Sequence, residues 1–503
     1  MRRLLIVSNR LPLTFTDNGD GRCQTDLSAG GLATALRSIA RRHHVHWIGW
    51  PGSDCDASVR DIVASSVALD CELVPVSLSE ADRREFYRGF CNEIIWPLFH
   101  DLPPTSSFEP AYWWRYFDVN TRYAESICRE ASPDDLVWVH DYHLMLQGKL
   151  LSTHFSHDQL AFFLHIPFPP LAVLARFPWK VEILDSLLSF GTVGLQTVQD
   201  SQNFLACVRA YFPQADIRST TSGIMISRGK TETVVRHCPI GIEFHEFENL
   251  ALRSDVVAEA KRVRRDMNVQ RLVLGVDRLD YTKGIPERLE AFRDFLTRYP
   301  GHRQETGLLQ VVVPSREEIP RYQQVRNQVE TLVRAINKQF GTPSWIPIRY
   351  QYAHLSRERL VAYYRAADIA LVTPLKDGMN LVAKEFCASR VDDTGILILS
   401  EFAGAAVQLR TGAHLVNPRQ IPSIVSALHA ACDPNERDVR RRMRRMRRNV
   451  RVSDIHRWCD EMLRGTPAER EITANEVSTD AGVPHLWPVH IPQLTTAANG
   501  EIP

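Results

Sequence analysis

Two cations, Arg278 and Lys283, lie five positions apart in one predicted loop, and their types and spacing suit chemistry on an anion. The loop follows an apolar run at 272–276 and precedes a helical pattern that starts near Ile285. Arginine and lysine at a helix N-terminus can neutralise the charge that grows on a leaving diphosphate without a metal ion. The loop therefore predicts a diphosphate site. The alternative is a solvated loop in which Arg278 forms a surface salt bridge with Asp280.

A second loop, 373–385, combines a turn with two carboxylates. It follows the apolar run 369–372, carries Asp377 and Gly378 in its turn, and leads into a helical pattern that has Glu385 near its start. A strand that ends in such a turn and opens a helix leaves backbone N–H groups without partners. These donors suit the phosphates and hydroxyls of a nucleotide sugar, and the two carboxylates can accept hydrogen bonds from sugar hydroxyls. An ordinary turn between a strand and a helix is the alternative.

In the first half of the chain, histidines and an aspartate follow two apolar runs. His140, Asp141 and His143 come directly after the first run, and His165 comes after the second. Two histidines with an aspartate could be zinc ligands, but their adjacent loop positions differ from the helical His-x-x-x-His arrangement of zinc hydrolases. A His–Asp acid/base pair is a second interpretation. His140 and His143 are better suited than Asp141 and His165 to a role in which they only hold the loops in place. No metal site is predicted.

Two arginines and two glycines suggest a site for a phosphorylated second ligand. Arg10 ends the first apolar run, and Arg316 follows the run at 308–313. Together they could form a fork for a phosphate, although either could be a surface residue. Gly30 and Gly31 open a helical pattern and would allow close approach of the backbone to a ligand, although a plain loop is an equally good interpretation of two glycines there.

An aromatic segment precedes these histidines. It contains Tyr87 and Trp96 among Phe86, Phe90 and Ile95. Aromatic residues at such spacing are found more often in a hydrophobic core than in a sugar-binding platform, so the segment alone does not decide between the two.

The bulk composition describes an ordinary globular protein without a nucleic-acid or membrane partner. The chain has 503 residues, 44% hydrophobic and 24% charged, and a net charge of +1, which predicts two domains and no general attraction to polyanions. The basic run 440–451 carries Met443, Met446 and Val450 at helical spacing, which favours a solvated amphipathic helix. No apolar run approaches the roughly 20 residues needed to cross a bilayer, no signal segment precedes the first strand, and the ten cysteines lack metal or disulfide spacing. We expect a cytoplasmic protein.

Short apolar runs alternate with helical patterns along the chain, which predicts α/β architecture with doubly wound parallel sheets. The predicted strands are 4–7, 136–139, 160–164, 193–195, 272–276, 308–313, 369–372 and 396–399, and the clearest predicted helices are 32–41, 181–188, 285–299 and 321–340. A Pro-Gly seam at 238–243 separates a predicted N-terminal domain, 1–240, from a C-terminal domain, 241–452. We expect a helix at 453–464 to pack back on the N-terminal domain, and a flexible tail at 465–503.

With these residues in view, the chain resembles the trehalose-6-phosphate synthases, which are retaining glycosyltransferases of the two-domain GT-B type in family 20. The resemblance extends from about residue 4 to residue 462. The matching motifs are VSNR (7–10), GGL (30–32), GW (49–50), WPLFH (96–100), HDYH (140–143), HIPFP (165–169), RLDYTKG (278–284) and DGMNLVAKE (377–385).

The resemblance implies two Rossmann-like domains that face a deep cleft, with a nucleotide-activated glucose, usually UDP-glucose, on the C-terminal side and glucose 6-phosphate on the N-terminal side. It implies no cofactor and no metal. The implied donor-binding residues are Gly30, Gly31, Arg278, Lys283, Asp377, Gly378, Met379, Asn380, Leu381 and Glu385. The implied acceptor-binding residues are Arg10, Tyr87, Trp96, Asp141 and Arg316. The implied catalytic residues are Arg278, Lys283, Asp141 and His165.

Three features depart from the family pattern. Leu195 stands where bacterial members commonly have phenylalanine, the segment 14–26 is longer than in compact members, and the family's frequent phosphatase domain is absent, so we expect a separate trehalose-6-phosphate phosphatase in the pathway. Two other functions stay open: a sister enzyme that uses glycerol 3-phosphate as its acceptor, and a non-catalytic sensor of sugar phosphate. Assembly into a homo-oligomer also stays open.

Overall fold

A computed structural model describes residues 3–17, 23–27, 36, 39, 44–52, 71–104 and 107–464. Gly30, Gly31 and the predicted tail at 465–503 lie outside the described residues. Of the helix predicted at 32–41, only Leu36 and Ile39 are described, and both are helical and buried.

The described strands form two large sheets and one small two-stranded sheet. They are β1 (Leu4–Arg10), β2 (Leu13–Asp17), β3 (Cys23–Leu27), β4 (Val45–Trp50), β5 (Cys71–Pro75), β6 (Leu136–His140), β7 (Leu160–Phe163), β8 (Thr192–Leu195), β9 (Asp216–Thr220), β10 (Gly223–Arg228), β11 (Thr231–His237), β12 (Arg271–Arg278), β13 (Thr306–Val313), β14 (Ile348–Tyr352), β15 (Ile369–Val372), β16 (Ile396–Ser400) and β17 (His414–Val416).

The first large sheet has the order β5-β4-β1-β6-β7-β8-β11-β10-β9 among the described strands. Its strands from β5 to β11 are parallel, whereas β9 and β10 pair in antiparallel fashion at one edge. The order reverses between β1 and β6, which are neighbours in the sheet. Such a switch point opens a crevice at the carboxyl ends of the strands, where ligands of doubly wound folds bind.

The second large sheet is entirely parallel in the described part of the chain, with the order β14-β13-β12-β15-β16-β17. Its order reverses between β12 and β15, so the loops after these two strands lie side by side. Leu375 donates its backbone N–H to the carbonyl oxygen of Thr282 over 2.7 Å, which joins the two loops directly. The topology therefore brings together the two loops that the sequence singles out.

Helices cover the faces of both sheets. In the first half they are Glu80–Asp82, a π-helical stretch Arg83–Ile95, Trp96–Phe99, Pro110–Glu130, Gln147–Leu151, Leu171–Leu174, Lys180–Leu187 and Val198–Tyr211. In the second half they are Phe244–Leu252, Ser254–Met267, Ile285–Arg298, Pro320–Phe340, Arg357–Ala366, Leu381–Ser389, Ala405–Leu409, Ile421–Cys432, Glu436–Val452 and Ile455–Leu463. Short 3₁₀ turns occur at Tyr142–Leu144, His157–Gln159, Tyr281–Lys283 and Pro300–His302.

The predicted α/β class is confirmed, and each predicted strand lies within or overlaps an observed one. The strands β2 to β5, β9 to β11, β14 and β17 were not predicted from the sequence. In the basic helix Glu436–Val452, Met443, Met446 and Val450 are buried, as their spacing predicts. No described helix has the length and apolar character required to span a membrane.

The helix Ile455–Leu463 packs against the first sheet although it follows the second in sequence. The Trp458 ring centroid lies 4.9 Å from that of Trp138 on β6, and Arg236 on β11 donates to the carbonyl oxygens of Glu461 and Met462 over 2.6 and 3.0 Å. Burial of these groups ties the end of the described chain to the N-terminal half. The domain bounds drawn from the sequence stay predictions.

Candidate active site

The carboxyl ends of the two large sheets meet, and side chains from one half of the chain contact side chains from the other. Arg316, which follows β13, donates to the hydroxyl of Tyr142, which follows β6, over 3.1 Å. The indole Nε1 of Trp96 lies 3.4 Å from Oδ1 of Asp280, which follows β12. These contacts lie at the edge where doubly wound folds bind their ligands. Both halves of the chain therefore contribute to one candidate site.

Lys283 and Asp377 form an ion pair on the C-terminal side of this site. Nζ of Lys283 lies 2.6 Å from Oδ2 of Asp377, and the two side chains are only 11% and 12% exposed. Burial raises the pKa of Asp377, but the charge and hydrogen bond of Lys283 outweigh it, so the pKa lies below its ordinary value. The carboxylate therefore stays ionised, and the ammonium, with three N–H donors, can also bind an anion.

Asn380 joins this carboxylate to the start of a helix. Its Nδ2 donates to Oδ2 of Asp377 over 3.0 Å, and its Oδ1 accepts from the backbone N–H of Ala383 over 3.2 Å. Its φ of 61° lies in the left-handed region, which asparagine tolerates better than most residues. Asn380 thus caps the helix Leu381–Ser389, and the other N–H groups of the first turn have no partner within the helix.

Two glycines allow the loops to approach their neighbours closely. A Cβ atom on Gly378 would lie 2.2 Å from the carbonyl oxygen of His165, so this glycine brings the C-terminal loop against the N-terminal half. Gly284 has a φ of 64°, and a Cβ there would lie 2.3 Å from the carbonyl oxygen of Thr373. Larger residues at either position would separate the loops that form the site.

The remaining residues predicted for the C-terminal side differ in what they present. Met379 is 3% exposed and lies in the core beneath the loop, and Leu381 is half-buried, so their backbone groups rather than their side chains are the candidates for ligand contact. Glu385 accepts a hydrogen bond from the hydroxyl of Tyr364 over 2.8 Å. Burial raises the pKa of Glu385.

Asp280 pairs with Arg316 and not with Arg278. Its Oδ2 lies 3.4 Å from Nη1 of Arg316 and accepts from the hydroxyl of Tyr322 over 3.1 Å. Although burial raises the pKa of Asp280, the charges of Arg316 and Lys283 lower it overall. The surface salt bridge between Arg278 and Asp280 considered from the sequence is not formed.

Arg278, Arg10 and Arg316 converge on the candidate site. Arg278 is exposed at the end of β12, and Arg10 is exposed at the end of β1, with its guanidinium 4.8 Å from the ring centroid of Trp50. Burial raises the pKa of Tyr87, but the charges of Arg316, Arg10 and Arg278 outweigh it and lower this pKa overall. Three cations from different strand ends therefore act on one phenol.

The aromatic segment divides between core and site. Phe86 and Phe90 are fully buried, whereas the half-buried ring of Tyr87 stacks on His143 with centroids 5.9 Å apart and planes 13° apart. The Trp96 ring lies under the guanidinium of Arg316 at 4.2 Å. The structure thus brings Tyr87 and Trp96 to the site and leaves the phenylalanines to the core.

Asp141 has an unusual backbone and a shifted acidity. Its φ is 73° and its ψ is 168°, a conformation that is rare outside glycine and that often occurs at functional sites. Burial raises the pKa of Asp141 to about 6, against the opposing hydrogen bonds from the backbone N–H groups of Tyr142 and His165 and the charge of Arg316. The carboxyl therefore changes protonation close to neutral pH.

His165 lies between the two halves and contacts another histidine. Its Nε2 is 3.1 Å from Nδ1 of His140, and its carbonyl oxygen accepts from Nε2 of Gln196 over 3.4 Å. Burial lowers the pKa of His165 to about 3. The ring is therefore neutral at physiological pH and can serve as a hydrogen-bond donor or acceptor but not as a cation.

Sequence reasoning missed several residues of the site. Tyr322 and Tyr364 bond Arg316 and Glu385 from helices that carry no motif. His100 lies fully buried near Asp280, and burial lowers its pKa to about 4. It belongs to the motif WPLFH (96–100), and this motif is the sequence signal that points to it. All the predicted site residues that the structure describes lie at these strand ends or in the loops and helices beside them.

Comparison with known proteins identifies the family. The model for glycosyltransferase family 20 matches residues 2–466. The chain belongs to glycosyltransferase family 20. Among its curated relatives, the trehalose-6-phosphate synthase of Mycolicibacterium gilvum is 40% identical over 466 residues, which cover 91% of this chain and 92% of the relative. That of Mycobacterium leprae is 39% identical over 466 residues, 91% of this chain and 93% of the relative.

Solved structures of similar proteins agree with this family 20 assignment. An α,α-trehalose-phosphate synthase (UDP-forming) from Burkholderia xenovorans, in complex with glucose 6-phosphate, matches with a TM-score of 0.83 and 31% identity over 92% of this chain and 99% of that one. An E. coli protein bound with UDP-2-fluoro glucose matches with a TM-score of 0.81 and 30% identity over 92% and 99% of the two chains. The family 20 protein described here is therefore a glycosyltransferase of the GT-B fold.

Proposed function

We propose that this family 20 glycosyltransferase transfers glucose from UDP-glucose to glucose 6-phosphate with retention at the anomeric carbon, giving α,α-trehalose 6-phosphate and UDP. The named activity of the relatives from Mycolicibacterium gilvum and Mycobacterium leprae supports the reaction. The ligands of the Burkholderia xenovorans and E. coli proteins support the two substrates.

The observation that carries the proposal is a single site with two different sides. One side contains a buried ion pair, and the other contains arginine and aromatic side chains. The Lys283–Asp377 pair at 2.6 Å lies in the C-terminal half, and Arg316 reaches across to Tyr142 at 3.1 Å. A transferase with two substrates needs such a division, because donor and acceptor must be held together in one orientation.

On the donor side, Arg278 and Lys283 bind the diphosphate and stabilise the negative charge that grows on it as the glycosidic bond breaks. The backbone N–H groups at the start of the helix Leu381–Ser389 add to this field. Asp377 and His165 bind hydroxyls of the donor glucose, and Glu385 binds the ribose. Gly30 and Gly31, which lie outside the described residues, close over the donor in this proposal.

On the acceptor side, Arg10 and Arg316 bind the phosphate of glucose 6-phosphate. Both are at strand ends and both act on Tyr87, and guanidinium groups suit phosphate because they donate in pairs. Tyr87 and Trp96 offer aromatic surface to the sugar, and Asp141 accepts from an acceptor hydroxyl.

Retention needs either a covalent intermediate on a carboxylate or attack from the face that the leaving group departs. We assign Asp141 to acceptor binding rather than to the nucleophile, and propose front-face attack. The departing phosphate oxygen then accepts the proton of the attacking hydroxyl. The bond from the anomeric carbon to UDP breaks as the bond to the acceptor oxygen forms, and UDP leaves with the electron pair.

A coupled assay of nucleoside diphosphate release tests the proposal. Purified protein receives UDP-glucose, GDP-glucose or ADP-glucose, each with glucose 6-phosphate or glycerol 3-phosphate. We expect release only with UDP-glucose and glucose 6-phosphate together, and an α,α-linked product by the anomeric proton couplings in NMR. Release with glycerol 3-phosphate alone would reassign the acceptor, and silence of a folded protein in every combination would support a sensor.

A further inference from the structure

The hydrogen bond between His140 and His165 has a direction, and this direction decides which hydrogen His165 can offer to a substrate. Nδ1 of His140 and Nε2 of His165 are 3.1 Å apart, which is hydrogen-bonding distance. His140 ends β6 and is fully buried, whereas His165 is partly exposed beside Gly378 of the opposite half. The His140 ring therefore lies deeper in the protein than the His165 ring.

Both rings are neutral. Burial lowers the pKa of His165 to about 3 and that of His140 well below its ordinary value. A neutral imidazole carries one N–H and one bare nitrogen. A single proton therefore lies between Nδ1 of His140 and Nε2 of His165. If it is bonded to His140, the hydrogen of His165 lies on its Nδ1. If it is bonded to His165, the hydrogen of His140 lies on its Nε2.

The surroundings of His140 indicate which of the two rings carries this proton. None of the described residues offers a hydrogen-bond partner to its buried Nε2. The rings of Trp138 and Trp458 pack around it, with centroids 4.5 and 6.2 Å from that of His140. A buried N–H without a partner is rarer and less tolerated than an unfilled acceptor, and contact with an aromatic face replaces a hydrogen bond only weakly. The hydrogen of His140 therefore belongs on Nδ1.

We propose that His140 is a positioning residue that fixes the tautomer of His165, so that His165 directs an Nδ1–H donor toward the substrate. With Nδ1–H of His140 donating, Nε2 of His165 must accept, and its own hydrogen lies on Nδ1. In the part of the chain that the structure describes, Nδ1 of His165 forms no hydrogen bond, which leaves it for a ligand. The contact to the sugar of the donor rests on the proposed function, whereas the tautomer does not.

The tautomer can be read directly by NMR. In the full-length protein labelled with ¹⁵N-histidine, nitrogens with and without hydrogen resonate in separate ranges, and the signals of the pair are assigned by their loss in His140→Phe and His165→Asn. We expect hydrogen on Nδ1 in both rings, unchanged from pH 6 to pH 8. Hydrogen on Nε2 of His165 would overturn the proposal, even if the enzyme were fully active.

Variants separate positioning from packing. His140→Phe keeps an aromatic ring but removes the donor, whereas His140→Asn can place an amide N–H near the position of Nδ1. We expect kcat/KM for UDP-glucose to fall about tenfold in His140→Phe and to recover to within about threefold of the native value in His140→Asn. The tautomer of His165 should become mixed in the first variant and stay fixed in the second.

Trp458→Phe is the matched control, because Trp458 packs on both histidines but gives them no hydrogen bond. It should lower the melting temperature and leave the tautomer of His165 unchanged. Equal kinetic losses in His140→Phe and Trp458→Phe, without a change of tautomer, would show that His140 acts only through packing. If His140→Phe does not fold, the spectrum of the native protein still decides the proposal. If the native protein does not use UDP-glucose, the proposed function fails while the tautomer result stands.

Discussion

The two sides of the site treat buried charge in opposite ways. On the C-terminal side, Asp280 and Asp377 are buried beside cations that hold their pKa values below normal. On the N-terminal side, burial dominates: the pKa of His165 falls to about 3 and that of Asp141 rises to about 6. The same architecture, a doubly wound sheet ending at a switch point, thus favours charged forms at one edge and neutral forms at the other.

The difference follows from which cations each edge holds. Lys283 and Arg316 are packed against carboxylates in the C-terminal half. The rings of His140 and His165 hydrogen-bond each other and pack among aromatic groups, with no carboxylate bonded to either ring in the described residues, so nothing offsets the cost of desolvating a charge on them. A charged edge suits a leaving diphosphate, and neutral groups such as the His165 ring suit sugar hydroxyls, while Arg10 and Arg316 supply the positive charge for the acceptor phosphate in the proposed reaction.

The largest effect should come from removing the cation of the charged edge. In Lys283→Ala, Asp377 loses its partner and the leaving group loses a positive charge. We expect kcat to fall by about 10² to 10³, which is about 3 to 4 kcal/mol, and to fall by a larger factor than the acceptor KM rises. Steady-state assays of UDP release measure both quantities.

Lys261→Ala is the matched control for this change, because Lys261 is exposed on the helix Ser254–Met267 of the same half. It should leave both constants unchanged. Normal kinetics in Lys283→Ala would break the comparison, because the charged edge would then have no part in the chemistry.

A second lysine of the C-terminal half is an exception that sharpens the comparison. Lys384 is fully buried, and its Nζ donates to the carbonyl oxygen of Ile240 over 2.5 Å, with no carboxylate bonded to it in the described residues. Burial lowers its pKa to about 7. Between pH 7 and about 10, the unfolded chain binds a proton that the folded chain lacks, so stability rises with pH in this window.

Lys384→Met should remove this dependence. At pH 7 the variant should be more stable by about 3 kcal/mol, after allowance for the lost hydrogen bond, and the advantage should disappear toward pH 10. Urea unfolding at several pH values measures the difference. A variant that is less stable than the native protein at pH 7 would mean that the hydrogen bond of Lys384 to the Ile240 carbonyl outweighs the cost of burying its amine.

The sequence predicted the loops at the strand ends better than it predicted the side-chain contacts within the site. The runs at 272–276 and 369–372 are apolar because parallel strands are buried on both faces, so the loops after them could be located without a structure. The partners of Arg316 could not, because Tyr322, six residues further on, is the single tyrosine of its helix and belongs to no motif. Nor does sequence spacing show that Asp280 pairs with Arg316, 36 positions away, and not with Arg278.

The shifted acidities were equally hidden in the sequence. The pKa of Asp141 depends on how deeply the loop after β6 is buried and on the approach of Arg316 from the other half. Both are properties of the packed molecule. The positive φ of Asp141 is also a property of the folded loop and not of the sequence pattern. The motif identified Asp141 as a candidate, whereas its protonation could be stated only from the structure.

On the neutral edge, Asp141→Asn should stabilise the protein above pH 6. Because the folded pKa of about 6 exceeds the unfolded value of about 3.9, the folded chain binds the extra proton and stability falls as pH rises between about 4 and 6. We expect the variant to gain about 2 to 3 kcal/mol at pH 7 and nothing below pH 4. Asparagine has nearly the same size and shape as aspartate, so the strain at this φ of 73° should be similar in both proteins.

Thermal or urea unfolding across this pH range tests the gain, and Asp158→Asn, at an exposed turn of the same half, is its control. Catalysis should fall in Asp141→Asn while stability rises, as expected where a strained group serves function. A stability profile parallel to that of the native protein would show that Asp141 titrates normally and that this edge is not neutral.

The smallest expected effect concerns Glu385, the carboxylate on the charged side whose pKa burial raises. Its hydrogen bond from Tyr364 lowers that pKa, so Tyr364→Phe should raise the pKa of Glu385 further and weaken ribose binding. We expect the KM for UDP-glucose to increase about three- to tenfold, near 1 kcal/mol, with kcat unchanged. Tyr363→Phe is the control, because the neighbouring tyrosine of the same helix donates instead to Gln351 over 2.9 Å. Equal changes of KM in the two variants would mean that helix packing, rather than the carboxylate, governs donor binding, and Glu385 would then not belong with the charged edge.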